Sequence, residues 1–83
     1  MKVRYFAWMK RTVGVAEEEI APPAEVRTVG DLVTWLRGRS PGHAEALAEG
    51  AAFGAAVDQR TATFDVPIAG AREVAFFPPF TGG

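Results

Sequence analysis

The run Glu73-Val74-Ala75-Phe76-Phe77, closed by Pro78-Pro79, constrains this chain more than any other stretch. Its apolar and aromatic residues predict a strand. The two prolines end it, because proline has no N–H to donate to a ladder and turns the residue before it away from helix. Beyond Phe80-Thr81 the sequence finishes on Gly82-Gly83. A frayed end is usually polar; this one follows an aromatic strand directly, so strand, prolines and glycines are read together.

With 83 residues there is room for one domain and one modest core. A hydrophobic share of 48% and ordinary charge content place the chain among globular proteins rather than disordered ones. Nine basic residues against ten acidic ones leave no field to steer it onto nucleic acid or an anionic membrane. The absence of cysteine removes disulfides, thiolate zinc sites and any cysteine nucleophile or persulfide in this chain. The apolar runs fall short of the roughly 20 residues that cross a bilayer. The opening Met1-Lys2-Val3-Arg4 leads into an alternating pattern rather than a secretory leader. A cytoplasmic location is expected.

Along the chain, residues 3–13 alternate imperfectly and predict a strand whose polar parity is interrupted by Phe6 and Trp8. Gly14 is placed at a hairpin turn, and residues 17–21 as a short second strand ended by Pro22-Pro23. Glu17-Glu18-Glu19 reads as a solvated, self-repelling sheet edge. Thr28 caps a helix with Asp31 near its positive end, and Leu32, Val33, Trp35 and Leu36 form its apolar stripe, with Gly38 and Ser40-Pro41 closing it. A second short helix is predicted over 43–49. A short strand follows over 55–57, then a turn at Asp58-Gln59-Arg60, an extended piece over 61–64, a loop over 67–70 and the last strand over 73–77. The order predicts an α+β fold: a mixed sheet of four to five strands, one main helix packed across it and a short second helix. With the first and last strands central and parallel, this is the ubiquitin-like β-grasp by analogy. Periodicity alone also permits a ferredoxin-like layout.

Few residues offer chemistry. His43 is the single imidazole, and with Glu45 and Glu49 it makes a weak metal-ligand pattern; it reads as an exposed residue in a first helical turn, and no metal site is expected. Ser40 reads as a helix end, and the isolated glycines, Gly42 and Gly54 among them, as punctuation rather than a phosphate loop. What remains is the end of the chain. Gly82 and Gly83 lack Cβ atoms and can thread a channel closed to other residues. Four extended residues from Pro79 onward reach roughly 14 Å at about 3.4 Å each. The reactive group there is the Gly83 α-carboxyl, ionised at neutral pH and resistant to nucleophiles until it is activated as an acyl-adenylate. Sulfur replacing oxygen on that adenylate would give a thiocarboxylate, which suits a chain without cysteine.

At Ala55-Ala56-Val57-Asp58-Gln59, Phe64-Asp65-Val66-Pro67, Glu73-Val74-Ala75-Phe76-Phe77-Pro78-Pro79 and Gly82-Gly83, the chain resembles the small, sulfur-carrying subunits of molybdopterin synthase. It departs at Asp58, where relatives often have Asn, and is only generically similar between Glu17 and Gly54. The resemblance implies a β-grasp domain over 1–79 and a flexible tail over 80–83. An E1-like adenylyltransferase would use ATP to activate Gly83, and a sulfur donor protein would convert it to the thiocarboxylate. The large synthase subunit would then receive the tail in a hetero-oligomer, and sulfur would pass to cyclic pyranopterin monophosphate. This chain would bind no cofactor and would not be catalytic alone. Gly82, Thr81 and Phe80 would give access to the partner's pocket. Phe6 and Trp8 are expected to share a sheet face with Ala75 and Phe77, forming with Pro78 and Pro79 a patch that docks the large subunit. Phe77 completing the core is the competing reading. A sulfur carrier for thiamine or other thiolation, and a ubiquitin-like modifier or interaction module, remain open alternatives.

Overall fold

A computed structural model describes residues 1–79; the expected tail, residues 80–83, lies outside them. Among the described residues the elements run β1 (Lys2–Tyr5), α1 (Trp8–Val13), β2 (Glu17–Glu19), α2 (Val29–Arg37), α3 (Pro41–Ala46), β3 (Gly54–Val57), β4 (Arg60–Ala62) and β5 (Glu73–Phe77). The sheet order is β2-β1-β5-β3-β4. β1 and β5 pair in parallel, with Val3 opposite Val74 and Tyr5 opposite Phe76, and the other pairings are antiparallel.

Because side chains alternate along a strand, this register puts Val3, Tyr5, Val74 and Phe76 on one face, where each is at most 1% exposed. Burying one such side chain stabilises the fold by about 1.5–3 kcal/mol. α2 supplies the facing layer. Val29, Leu32, Val33 and Leu36 recur at helical spacing and are buried in the same cluster. Its start is fixed by a reciprocal cap: Asp31 N donates to Thr28 Oγ1 at 3.1 Å, and Thr28 N donates to the Asp31 carboxylate at 3.3 Å. Arg27 N also donates to that carboxylate, which, with the Thr28 bonds, holds the carboxyl below its usual range. One helix across a mixed sheet with parallel first and last strands is the ubiquitin-like β-grasp. The expected fold stands, and the ferredoxin-like layout does not.

The segment 3–13 is where expectation and structure part. The strand stops at Tyr5, Ala7 turns the chain at φ 54°, and Trp8–Val13 is a helix. Met9 is fully buried, with Trp8 and Val13 packed beside the same core. Gly14, expected in a hairpin, is the left-handed C-cap of α1, donating its N–H to Lys10 O. Helical spacing between Met9 and Val13 outweighed a weak alternation. The second short helix begins two residues before the expected start and ends at Ala46. β2 is confined to the three glutamates, and Arg60 opens β4 rather than completing the turn. The turn itself is Asp58-Gln59, both at positive φ, as a two-residue hairpin of this hand requires.

α3 lies so close to α1 that a Cβ on Gly42 would stand 2.5 Å from Thr12 O and 3.2 Å from Val13 O. Backbone cannot swing aside as a side chain can. At its other face α3 brings His43 inward, leaving it 7% exposed rather than in solvent. The His43 ring bonds Ser40 Oγ through Nδ1 at 2.7 Å and Glu18 Oε2 through Nε2 at 2.7 Å. Tyr5 OH donates to the same carboxylate oxygen at 2.7 Å, and an Arg39 guanidinium nitrogen stands 3.6 Å from Glu18 Oε1. Glu17 and Glu19 do face solvent at the sheet edge, but the middle glutamate points the other way, as strand alternation demands. Burial pushes the Glu18 carboxyl up, yet the hydrogen bonds from His43 and Tyr5, with the His43 and Arg39 charges, outweigh it and leave it below its ordinary value. Tyr5 moves up, chiefly by burial and then by its bond to Glu18, and stays a neutral donor. Glu45 and Glu49, the other members of the weak metal pattern, are exposed.

Two outcomes follow for stability. Gly42→Ala should cost about 1–3 kcal/mol in urea denaturation, since overpacking against fixed backbone outweighs the gain in helix propensity; a neutral or stabilising result would contradict the α1–α3 contact. For Glu18, the depressed carboxyl contributes stability that is whole above the ordinary value of 4.5 and is lost as pH falls through the lower folded value. Glu18→Gln should lower stability at pH 7 by about 1–3 kcal/mol and flatten the loss of stability on the acid side of that value. Denaturation curves taken across acid pH check both parts.

Candidate docking site at the end of the last strand

β5 is the middle strand of the sheet, flanked by β1 and β3. Its end meets the chain leaving β1, since Phe6 N donates to Phe76 O at 3.1 Å. That bond sets Phe6 beside Phe77. The turn at Ala7 then carries the chain into α1 and leaves Phe6 outside, 39% exposed. Phe6, Ala7, Phe77, Pro78 and Pro79 line one apolar depression. The two prolines make the exit from the strand stiff and leave no N–H to pair with a neighbour.

Charges border this surface. The Arg4 guanidinium lies 5.0 Å from the centre of the Phe6 ring and 3.7 Å from Glu73 Oε1, and Lys2 pairs with Glu17 at 3.0 Å. These four charged residues and Ala75 share the open face of the sheet by register. Across from the exit, Gly54 pairs with Phe77, and a Cβ there would stand 2.6 Å from Phe77 Cε1. The Phe77 ring therefore lies over the bare backbone of β3.

Of the residues expected at a docking patch, the structure brings together Phe6, Phe77, Pro78 and Pro79 but not Trp8. That residue opens α1, and its half-buried side chain packs against the core. Ala75 is on the expected face but only 6% exposed. Phe77 is half-buried, between the core and the patch readings. Phe80, Thr81, Gly82 and Gly83 lie outside the described residues. Two contributors were missed: Arg4 over Phe6, for which the sequence carries no clear signal, and Gly54. A glycine inside a strand pattern is itself a sign of close approach. The lining side chains carry no acid, base or nucleophile, so what this surface can do is bind. Among the described residues, no three of His, Asp and Glu converge on a possible metal position, and no helix is long and apolar enough to cross a membrane.

The Escherichia coli (strain K12) molybdopterin synthase sulfur carrier subunit is 41% identical to this chain over 83 residues, covering all of this chain and 99% of its own length. A solved structure of a putative molybdopterin converting factor, subunit 1, from Pyrococcus furiosus superposes with a TM-score of 0.71 at 30% identity over 95% of each chain. SAMP1 from Haloferax volcanii superposes with a TM-score of 0.78 over 100% of this chain and 98% of its own; at 24% identity that likeness is one of fold. The ThiS family model matches residues 3–83, from the strand that receives β5 to the final glycine, and on that match and the full-length identity the chain belongs to the ThiS family.

Proposed function

We propose that this chain is the sulfur carrier subunit of a molybdopterin synthase. The observation that carries the reading is the 41% identity to the Escherichia coli subunit over the whole length of both chains. The apolar depression where residues 80–83 begin supports it. The carboxylate of Gly83 attacks the α-phosphorus of ATP in an E1-like partner, releasing pyrophosphate and forming an acyl-adenylate. Sulfide-level sulfur from the donor then attacks the acyl carbon, the carbon–oxygen bond to AMP breaks with AMP leaving, and loss of the sulfur-bound proton gives the thiocarboxylate. A carboxylate needs this step because its ionised form repels nucleophiles, and the adenylate supplies the leaving group.

Residues 1–79 serve as the handle and residues 80–83 as the tether, with Phe80, Thr81 and Gly82 passing through the entry to the large subunit's pocket. There the thiocarboxylate sulfur passes to cyclic pyranopterin monophosphate. The large subunit supplies the pocket and its catalytic side chains, so the chain works as part of a sulfurtransferase and binds no cofactor itself. Phe6 and Phe77, framed by Pro78 and Pro79, anchor that subunit by burying aromatic surface; Trp8 has no part in the contact. The work of these partners is in the cytoplasm.

Incubation with the activating enzyme, ATP and a sulfur source should raise the intact mass by about 16 Da, the exchange of one oxygen for sulfur. Removal of Gly83 should abolish the shift while changing stability by less than about 0.5 kcal/mol. An unshifted mass under conditions that form the adenylate would overturn the carrier reading. Whole-target adducts instead would mark a modifier, and sulfur delivered only to another acceptor would mark a carrier of a different thiolation pathway. Phe77→Arg should weaken large-subunit binding by about 2 kcal/mol or more, read by titration calorimetry on a variant shown to be folded.

A further inference from the structure

We propose that Gln59 is a contact residue for the large subunit: its side-chain amide, held on a turn that would be more stable without it, pairs with a main-chain peptide group at the rim of that partner. The choice of partner rests on the function proposed above; the cost of the side chain does not. Gln59 is the second residue of the turn between β3 and β4 and has φ 70°. In that region a Cβ crowds the following carbonyl oxygen, so hairpins of this hand favour glycine at the position. Asp and Asn tolerate such angles because their short side chains bond nearby backbone. Asp58, at φ 47°, does so: its Oδ1 accepts from Arg72 N at 2.9 Å and from Glu73 N at 3.0 Å. Gln59 gives the fold no such return. Its side chain is exposed, and its amide bonds nothing among the described residues.

A side chain that costs stability and makes no bond inside its own chain has its use outside it. The surroundings of Gln59 say where. It lines an open cavity with Asp58, Arg72 and Glu73, and Glu73 stands on the open face of the sheet with Ala75 and Phe77, two and four residues further along β5. Four residues at about 3.3 Å each separate this end of the strand from the apolar depression by about 13 Å. A standard interface takes about 800 Å² from each partner, a patch of roughly 16 Å radius, so a subunit centred on the depression reaches the turn at its rim. The carboxylates beside Gln59 are already engaged, Asp58 with backbone N–H groups and Glu73 with Arg4. The amide is not. It carries donors and an acceptor in one plane, which matches the N–H and C=O of a peptide group, whereas a carboxylate or an ammonium would use only half of it.

Stability and affinity should therefore move in opposite directions. In the full chain, Gln59→Gly should raise the thermal midpoint by about 2–6 °C and lower affinity for the large subunit from the same organism about fivefold or more, the worth of one or two hydrogen bonds. Gln59→Met, of similar length but without the amide, should keep the native midpoint within about 2 °C and lose affinity to the same extent. A midpoint unchanged or lowered in Gln59→Gly overturns the cost assigned to the side chain. Native affinity in either variant overturns the contact. If Phe77→Arg abolishes binding while both Gln59 variants bind as the native chain does, the carrier reading stands and only the rim contact falls. If the native chain does not bind that subunit at all, the carrier reading fails and the contact with it, while the midpoints still decide the cost.

Discussion

The parallel pairing of β1 with β5 is the constraint from which the rest of the molecule follows. Parallel neighbours cannot be joined by a tight turn, so everything between them must act as the crossover, and α2 fills that place on the sheet. Closing so long a loop costs chain entropy that grows only slowly with length. Val3, Tyr5, Val74 and Phe76, all nearly inaccessible, offset that cost by packing in register against the helix. The same pairing is why residues from opposite ends of the sequence form one surface. Once Tyr5 stands opposite Phe76, the next residues along the chain are Phe6 and Phe77, which are brought side by side in the apolar depression.

The two ends of β5 are treated differently. At its start Asp58 Oδ1 accepts from Arg72 N and Glu73 N, Asp58 N donates to Glu73 O, and Lys2 N donates to Arg72 O. Asp58 holds that position at φ 47°, a backbone state that Asp tolerates better than most residues, so the hairpin turn doubles as an anchor for the strand. At the other end the strand meets prolines, and the side chains around it are apolar. The strand is tied at one end to the sheet and presents at the other an apolar surface.

Those elements fixed by strong, one-sided physics were legible from sequence. The last strand fell where expected, and the Thr28–Asp31 cap, the apolar stripe of α2 and the turn at Asp58 follow from local rules that tertiary contacts did not override. α1 was not legible, because Val3, Tyr5, Ala7 and Met9 satisfy a period of two while Met9 and Val13 satisfy a helical one. Only the bend at Ala7 settles the matter. That misreading moved Trp8 from the core to the surface. His43 and Glu18 were invisible for another reason: they are 25 residues apart, and nothing in either neighbourhood announces the other. Four of the five residues lining the candidate site were readable, Phe77, Pro78 and Pro79 from their own run and Phe6 from its break in the polar parity. The close approach of Phe77 to Gly54 was not, since the expected strand began only at Ala55 and the glycine was left outside it.

The Ser40–His43–Glu18 array has the spacing of a catalytic triad, and its bonds explain why it works as a brace instead. Ser40 Oγ accepts from His43 N as the cap of α3, so the oxygen that would attack a substrate already holds a helix end. Glu18 Oε2 takes bonds from both His43 and Tyr5, tying α3 to β2 and β1. Among the described residues no buried side-chain polar atom lacks a hydrogen-bond partner. The bonds of this cluster join α3 to two strands of the sheet, which is the work of a brace. The apolar end of β5 is the reverse, a surface whose aromatic area is half covered by its own chain. This polar cluster holds elements of the fold together, while the apolar end of β5 stays partly open, an arrangement that suits the carrier role proposed above.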